Sequence, residues 1–501
     1  MNFCCNLPVG GNMTTVPAVA QRVLLLRRSD PGLLVLLLVF LVLLPLSTPR
    51  IYATDEVQYY AYLRSFYFDR DLDFQNEYRH FAEIGQRNND PAVFNALLRD
   101  NPADPPRNLE TGKFRNVAPV GSALLWSPGF ILADLGVRTA NLFGANIPAD
   151  GYSAPYIWAV CFMSALYALL GLILTYRLAR RFASVFAAAL ATVTVWLASP
   201  LLFYTYIAMP WSHATAFFLF ALFLALWLHG WERPLVERMA RRPLQQWLLL
   251  GLVGGLMTIT REQLGLLLII PAVEGVVAYV RLAGRRHWSA IGQLSAHHGA
   301  FLAALLIGLL PQFAAYQVLN GRPGPSSTVG NKLDFTSPNF FNTLLDPAHG
   351  AFLWSPVLVI GLVGLFWLAR QDRLLAALLG LGFLAQTYIN GSFGTTWHLS
   401  GAFGFRRLIE CTPIFVLGLA VLLDWLRLRV GYGPLVALAL LLVYWNVGLI
   451  AQWAFVRVDA GFRKGLIWED MLYYQFVEVP RQVLAKAYYL FADRCRFVQN
   501  C

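Results

Sequence analysis

Charge is scarce in this sequence. Of 501 residues only 13% are Asp, Glu, Lys or Arg, where a soluble domain carries roughly a quarter. With 57% hydrophobic residues and a mean hydropathy of +0.53, that deficit excludes an ordinary soluble globule. Cysteine is also sparse. There are six, with no C-x-x-C among them, so the spacing gives no support to a zinc site built on thiolates. Cys4 and Cys5 lie near the start, and Cys161 and Cys411 in or beside apolar runs. Cys495 and Cys501 close the chain, as a disulfide or as two free thiols. There is no internal repeat and no low-complexity tract. Acids are outnumbered by bases, giving a net charge of +11. Those bases sit in short loops between apolar runs, so they are topology signals and not a nucleic-acid surface.

What is abundant is long apolar sequence. A bilayer core of about 30 Å needs roughly 20 apolar residues in helix. Pro31–Pro49 carries no charge and follows Arg22, Arg27 and Arg28; it reads as an uncleaved signal anchor. Further spans are expected near 155–176, 183–200, 211–229, 246–260, 264–280, 299–319, 351–369, 374–390, 407–424 and 434–452. The expected fold is therefore an all-α polytopic membrane protein of about 11 transmembrane helices. Arginine clusters at 177–181, 233–242, 281–286, 370–373 and 427–429 all fall on the side of the N-terminus. The positive-inside rule makes that side cytoplasmic.

The opposite side is acidic. Between Pro49 and Ala154 stand 10 Lys and Arg against 13 Asp and Glu, in a long, partly helical external first loop. Within it Val117–Leu135 is apolar. A full crossing there would invert every later loop, so it is expected to be interfacial or re-entrant. The organisation expected is a cytoplasmic tail at 1–30, a transmembrane domain at 31–452 that includes the external loop 49–154, and an external interfacial segment at 453–501. The run GLVGG at Gly251–Gly255 suits close helix packing, not nucleotide binding.

The stretch TDEVQYY, Thr54–Tyr60, places two carboxylates just after the first span. Thr54 or Asp55 can cap a helix there, and acids suit its first turn. Glu56, Tyr60 and Arg64 fall on one face of that helix. The acid-rich run after it lacks the central glycine and closing glutamate of an EF-hand loop. The continuation DEVQYYAYLRSFYFDRDLDFQNEY, together with WHLSGAFGFRRLIECTP, resembles bacterial members of the GT-C superfamily of polytopic glycosyltransferases. These use polyprenyl-phosphate sugars, as the protein mannosyltransferases and aminoarabinose transferases do. Architecture resembles that group along the whole chain, and the specific motifs cover the two stretches quoted.

The resemblance implies an inverting glycosyltransferase of the cell envelope, in a bacterial inner membrane with its N-terminus inside. Its partners would be a polyprenyl-phosphate sugar donor, membrane lipids, and a glycan, lipid or protein acceptor. Asp55 matches the position of the family's catalytic base, with Glu56 beside it. The family leaves a divalent metal open. The departing phosphate needs cations. Arg406, Arg407, Arg261 and Lys332 are the outward candidates, Arg261 having a pairing with Glu262 as its plain alternative. His398 and Trp397 stand in a loop able to close over substrate. His213 is also outward, and Trp126, Trp211 and Trp397 offer sugar-stacking faces. The competing class is a transporter or lipid flippase, which would carry charge near the bilayer midplane. The spans here are largely free of it.

Overall fold

The computed structural model describes residues 30–457, except 103, 104, 331, 337 and 400, and residues 465–493. Among the described residues there is no β-strand, only an antiparallel bridge between Arg107 and Phe114. The longer helices are α1 Pro31–Leu43, α2 Thr54–Arg64, α3 Gln75–Arg87, α4 Gly121–Leu142, α5 Ala154–Ala179, α6 Val185–Leu197, α7 Ser212–Trp227 and α8 Leu235–Arg241. They continue as α9 Leu244–Thr260, α10 Ile269–Gly284, α11 Trp288–Asn320, α12 Val357–Gln371, α13 Arg373–Gly391, α14 Thr412–Val430, α15 Tyr432–Ala451 and α16 Val479–Ala492.

The protein is a multi-pass membrane protein. Among the described residues six segments are long and apolar enough to cross a bilayer: Ala154–Ala179, Glu262–Gly284, Trp288–Asn320, Arg373–Gly391, Arg406–Val430 and Tyr432–Val456. Five shorter apolar helices accompany them: Pro31–Leu46, Val185–Leu197, Ser212–Trp227, Leu244–Thr260 and Val357–Gln371. Every expected span thus coincides with a helix, while six alone meet the length of a crossing.

The helices are held close by glycine. A Cβ on Gly251 would lie 2.1 Å from the Phe301 carbonyl oxygen, and one on Gly255 2.6 Å from that of Leu305. The GLVGG run therefore lets α9 and α11 touch backbone to backbone. Gly364 and Gly418 do the same for α12 and α14, at 2.0 Å. Without a hydrophobic force between helices in lipid, such close packing supplies the attraction. The start of α1 is tied to α5 by Asp30, which accepts from the Gly32 N–H at 2.9 Å and the Tyr176 hydroxyl at 2.6 Å.

The segment 49–154 folds around an aromatic cluster of its own. Tyr60, Phe81, Phe130 and Tyr156 meet edge to face or tilted. Within it, the apolar stretch expected to be interfacial or re-entrant is one uninterrupted helix, α4, with Pro128 inside it. It lies antiparallel on the outer half of α5. The Tyr167 hydroxyl donates to the Leu125 carbonyl at 2.9 Å and that of Tyr156 to Asp134 at 2.7 Å.

The closing segment exposes Leu472, Phe476, Leu484 and Tyr488. Cys161 and Cys411 are buried free thiols. Cys4, Cys5, Cys495 and Cys501 lie outside the described residues.

Candidate active site

A cavity of about 1180 Å³ opens among the start of α2, the segment 117–119, the turn after α9, the loop 329–340, the outer half of α13 and the loop 393–407. Asp55 lines it, as do Arg261, Lys332, His398, Arg406 and Arg407. Residues from positions 55 to 407 meet here because each stands at the same end of a helix bundle.

Asp55 is the second residue of α2, where an acid favours the helix dipole. Its side chain is 41% exposed, and its Oδ2 pairs with Arg406 Nη2 at 2.9 Å. The Arg406 guanidinium lies 4.0 Å above the Trp211 ring. Arg407, the next residue, lies 4.2 Å above Phe393. Its Nη1 has no hydrogen-bond partner, and among the described residues no carboxylate pairs with it. It is a surplus cation of the cavity.

Arg261 ends α9. It pairs with Glu410 (Nε to Oε1, 2.9 Å), not with Glu262, and its Nη1 donates to Ser212 Oγ at 3.1 Å. Glu410 Oε1 also meets His213 Nδ1 at 2.8 Å. Ser212 in turn donates to the Tyr59 hydroxyl at 2.9 Å. This buried chain of polar groups fixes the guanidinium that faces the cavity. Glu262 instead accepts from Tyr316.

Three expectations are corrected. Glu56, paired with Asp55 as catalytic, is fully buried and does not line the cavity. One residue along a helix is a rotation of about 100°, which turns Glu56 away. Its Oε2 accepts the Tyr52 and Ala53 N–H groups at 2.9 and 3.0 Å, so it closes the start of α2. Burial pushes its carboxyl up to about 7, against the pull of those donors. The face it shares with Tyr60 and Arg64 packs into the external domain, where Tyr60 donates to Gly151 and Arg64 pairs with Asp69 and Glu77. Trp126 is fully buried with its ring edge-on to Tyr59, so it offers no face to a sugar. Trp397 does not line the cavity; its ring meets His398 at 5.6 Å.

Sequence reasoning missed Glu410, Ser212 and Tyr59. The signal for Glu410 was present. An acid in RRLIECTP, at the head of an apolar helix, must have a cationic partner to be buried there.

The wall away from the arginines is apolar: Leu266, Ile269, Leu381, Leu384, Ala385 and Tyr388. Leu266, Leu384 and Tyr388 are exposed on their helices. Among the described residues no group of three or more His, Cys, Asp or Glu side chains is gathered to hold a metal ion.

No protein-family profile and no curated protein matches the chain. Two crystal structures of ArnT from Cupriavidus metallidurans are similar to it. The one bound to undecaprenyl phosphate aligns over 96% of this chain and 74% of that one, at 17% identity and a TM-score of 0.47. The apo form aligns over 89% and 67%, at 17% identity and a TM-score of 0.44.

Proposed function

We propose that the protein is an inverting glycosyltransferase that moves a sugar from a polyprenyl-phosphate donor to an acceptor hydroxyl at the external membrane face. One observation carries the reading. A single cavity joins an exposed carboxylate, an unpaired arginine and an apolar wall. A polyprenyl-phosphate sugar has the matching parts: a greasy chain, an anionic phosphate and a polar sugar.

In this reading the polyprenyl chain lies against Leu266, Ile269, Leu381 and Leu384. Arg407 and Arg261 face the phosphate, whose oxygens suit the planar guanidinium fork. Lys332 and His398, on the loops over the cavity, face the sugar. Asp55 takes the proton of the acceptor hydroxyl as its oxygen attacks the anomeric carbon. The bond from that carbon to the phosphate oxygen breaks, and the lipid phosphate leaves with both bonding electrons. Attack opposite the leaving group inverts the carbon. A positioned base contributes about 10²–10⁴ in rate, and arginines stabilise the charge as it develops on phosphate.

The test is transfer in nanodiscs from a panel of polyprenyl-phosphate sugars to glycan, lipid and peptide acceptors, with and without chelator. The expected result is product that depends on donor lipid and on Asp55. Movement of the lipid-linked sugar between leaflets with no transfer to any acceptor would replace this reading with a flippase.

A further inference from the structure

The face opposite the cavity holds a second surplus arginine. Arg242 precedes α9, is 3% exposed, and donates through Nη2 to the Trp227 carbonyl at 2.8 Å. Among the described residues its Nε and Nη1 meet no hydrogen-bond partner. Beside it, Arg238 is committed to Glu274, with Nε to Oε1 at 2.7 Å, and the Trp227 indole N–H takes the other oxygen at 2.6 Å. One carboxylate thus stands between two buried arginines. Burial holds the Arg242 guanidinium down at about 10, Glu274 opposes that and Arg238 adds to it.

Further unpartnered groups gather at the same place. Arg242 lies 4.7 Å from the centre of the Trp247 ring, whose buried Nε1–H has no acceptor. The His297 ring stacks 6.1 Å from Trp247, and its Nδ1 is also without a partner. The first turn of α9 begins at Leu244, two residues after Arg242. A helix N-terminus presents free N–H groups and positive potential. Unpartnered buried donors are rare, because each costs about 1–3 kcal/mol. Guanidinium, indole N–H, imidazole and a helix start share one preferred ligand, an oxyanion.

Depth in the membrane agrees. Helix α9 joins Arg242 at its start to Arg261 at its end through 17 residues, about 25 Å of helix. The hydrocarbon core is about 30 Å thick. The two arginines therefore stand near opposite headgroup layers. Leu244, two residues after Arg242, is exposed.

We propose that Arg242, Trp247, His297 and the start of α9 form a binding site for a phosphate group on the arginine-rich face, supplied by an anionic lipid headgroup or by free phosphate. The site is separate from the cavity and does not depend on the reading of its chemistry.

The full-length protein in detergent is titrated with dioctanoyl phosphatidylglycerol, dioctanoyl phosphatidylcholine and inorganic phosphate, with bound ligand read by native mass spectrometry. Phosphatidylglycerol should bind about tenfold tighter than phosphatidylcholine. Arg242→Gln should weaken it about tenfold, and Trp247→Phe, which removes the N–H together with part of the ring, about threefold. Arg241→Gln, a neighbour 66% exposed, should change it less than about twofold. Displacement of the lipid by millimolar phosphate assigns the site to free phosphate; retention assigns it to lipid. Thermal midpoints are taken in parallel. Should Arg242→Gln fail to fold, Arg242→Lys and Trp247→Phe carry the test. Wild-type affinity in the Arg242 and Trp247 variants, or an equal loss in Arg241→Gln, overturns the proposal.

Discussion

Asp55→Asn separates chemistry from architecture because the two roles of this carboxylate differ in size. As a base, Asp55 is expected to supply about 10²–10⁴ in rate, which is about 3–5 kcal/mol of barrier. As a structural partner it gives little. Its side chain is 41% exposed, and an ion pair in that setting contributes about 0–1 kcal/mol. Arg406 would keep its seat 4.0 Å above Trp211 and its access to the cavity. The orphaned-charge cost of a dry ion pair therefore does not apply in full. The assay is single-turnover transfer in nanodiscs at saturating donor, with thermal unfolding measured on the same preparation. The expected outcome is a loss of at least about a hundredfold in rate with a change of less than about 1 kcal/mol in stability. Transfer within about threefold of wild type would remove Asp55 from the reaction. A large loss of stability alongside lost activity would make the carboxylate a brace for Arg406 and nothing more.

The other expectations follow from partners and burial. Arg407→Ala orphans no carboxylate, so it should fold normally. It should lower kcat/KM for the lipid-linked donor about tenfold or more, the worth of a charged hydrogen bond, with a fall in kcat at saturation because the arginine meets charge that develops on the leaving phosphate. Glu410→Ala strands Arg261 and His213, and should cost about 3–5 kcal/mol in unfolding experiments; an unchanged thermal midpoint would show that the buried pair is not formed. Glu56→Gln tests the buried cap. The carboxyl is raised from 4.5 to about 7 in the folded protein, so its contribution is present below about pH 4.5 and lost as pH rises through about 7. The Gln variant, which cannot ionise, should match wild type near pH 4.5. It should exceed wild type above pH 7 by up to about 3 kcal/mol. Equal stability of the two proteins at pH 8.5 would contradict the burial argument.

The bundle was legible because a bilayer imposes one signal, uninterrupted apolar length, on every helix it contains. Each expected span from 31 to 452 coincides with a helix. The convergence of Asp55, Arg261, Lys332, His398, Arg406 and Arg407 was legible for a related reason. Helices that run alternately up and down one bundle gather their ends in two layers, so charges found at one end have few places to go. Two things lay beyond that logic. Asp55 and Glu56 have the same chemistry and the same depth. Only the packing of α2 against the external domain decides which one faces the cavity. Glu410 finds His213 across 197 residues of sequence, and no local pattern announces such a partner. Composition also could not separate a crossing from α4, whose apolar surface covers the outer half of α5.

The two surplus arginines follow a common rule. Moving an ion out of water costs several kcal/mol, which a partner must offset. Glu274 meets Arg238, Glu410 meets Arg261, and Asp55 meets Arg406. A chain with only 28 acids to set against 39 bases leaves some bases unmatched. Most unmatched bases stay in water, where they cost little. Arg407 and Arg242 do not; each is held among aromatic rings, with donor groups that meet no protein acceptor. Folding tolerates that arrangement when an anion from outside completes it. The lipid phosphates at the two faces of the bilayer are the anions present at those two depths.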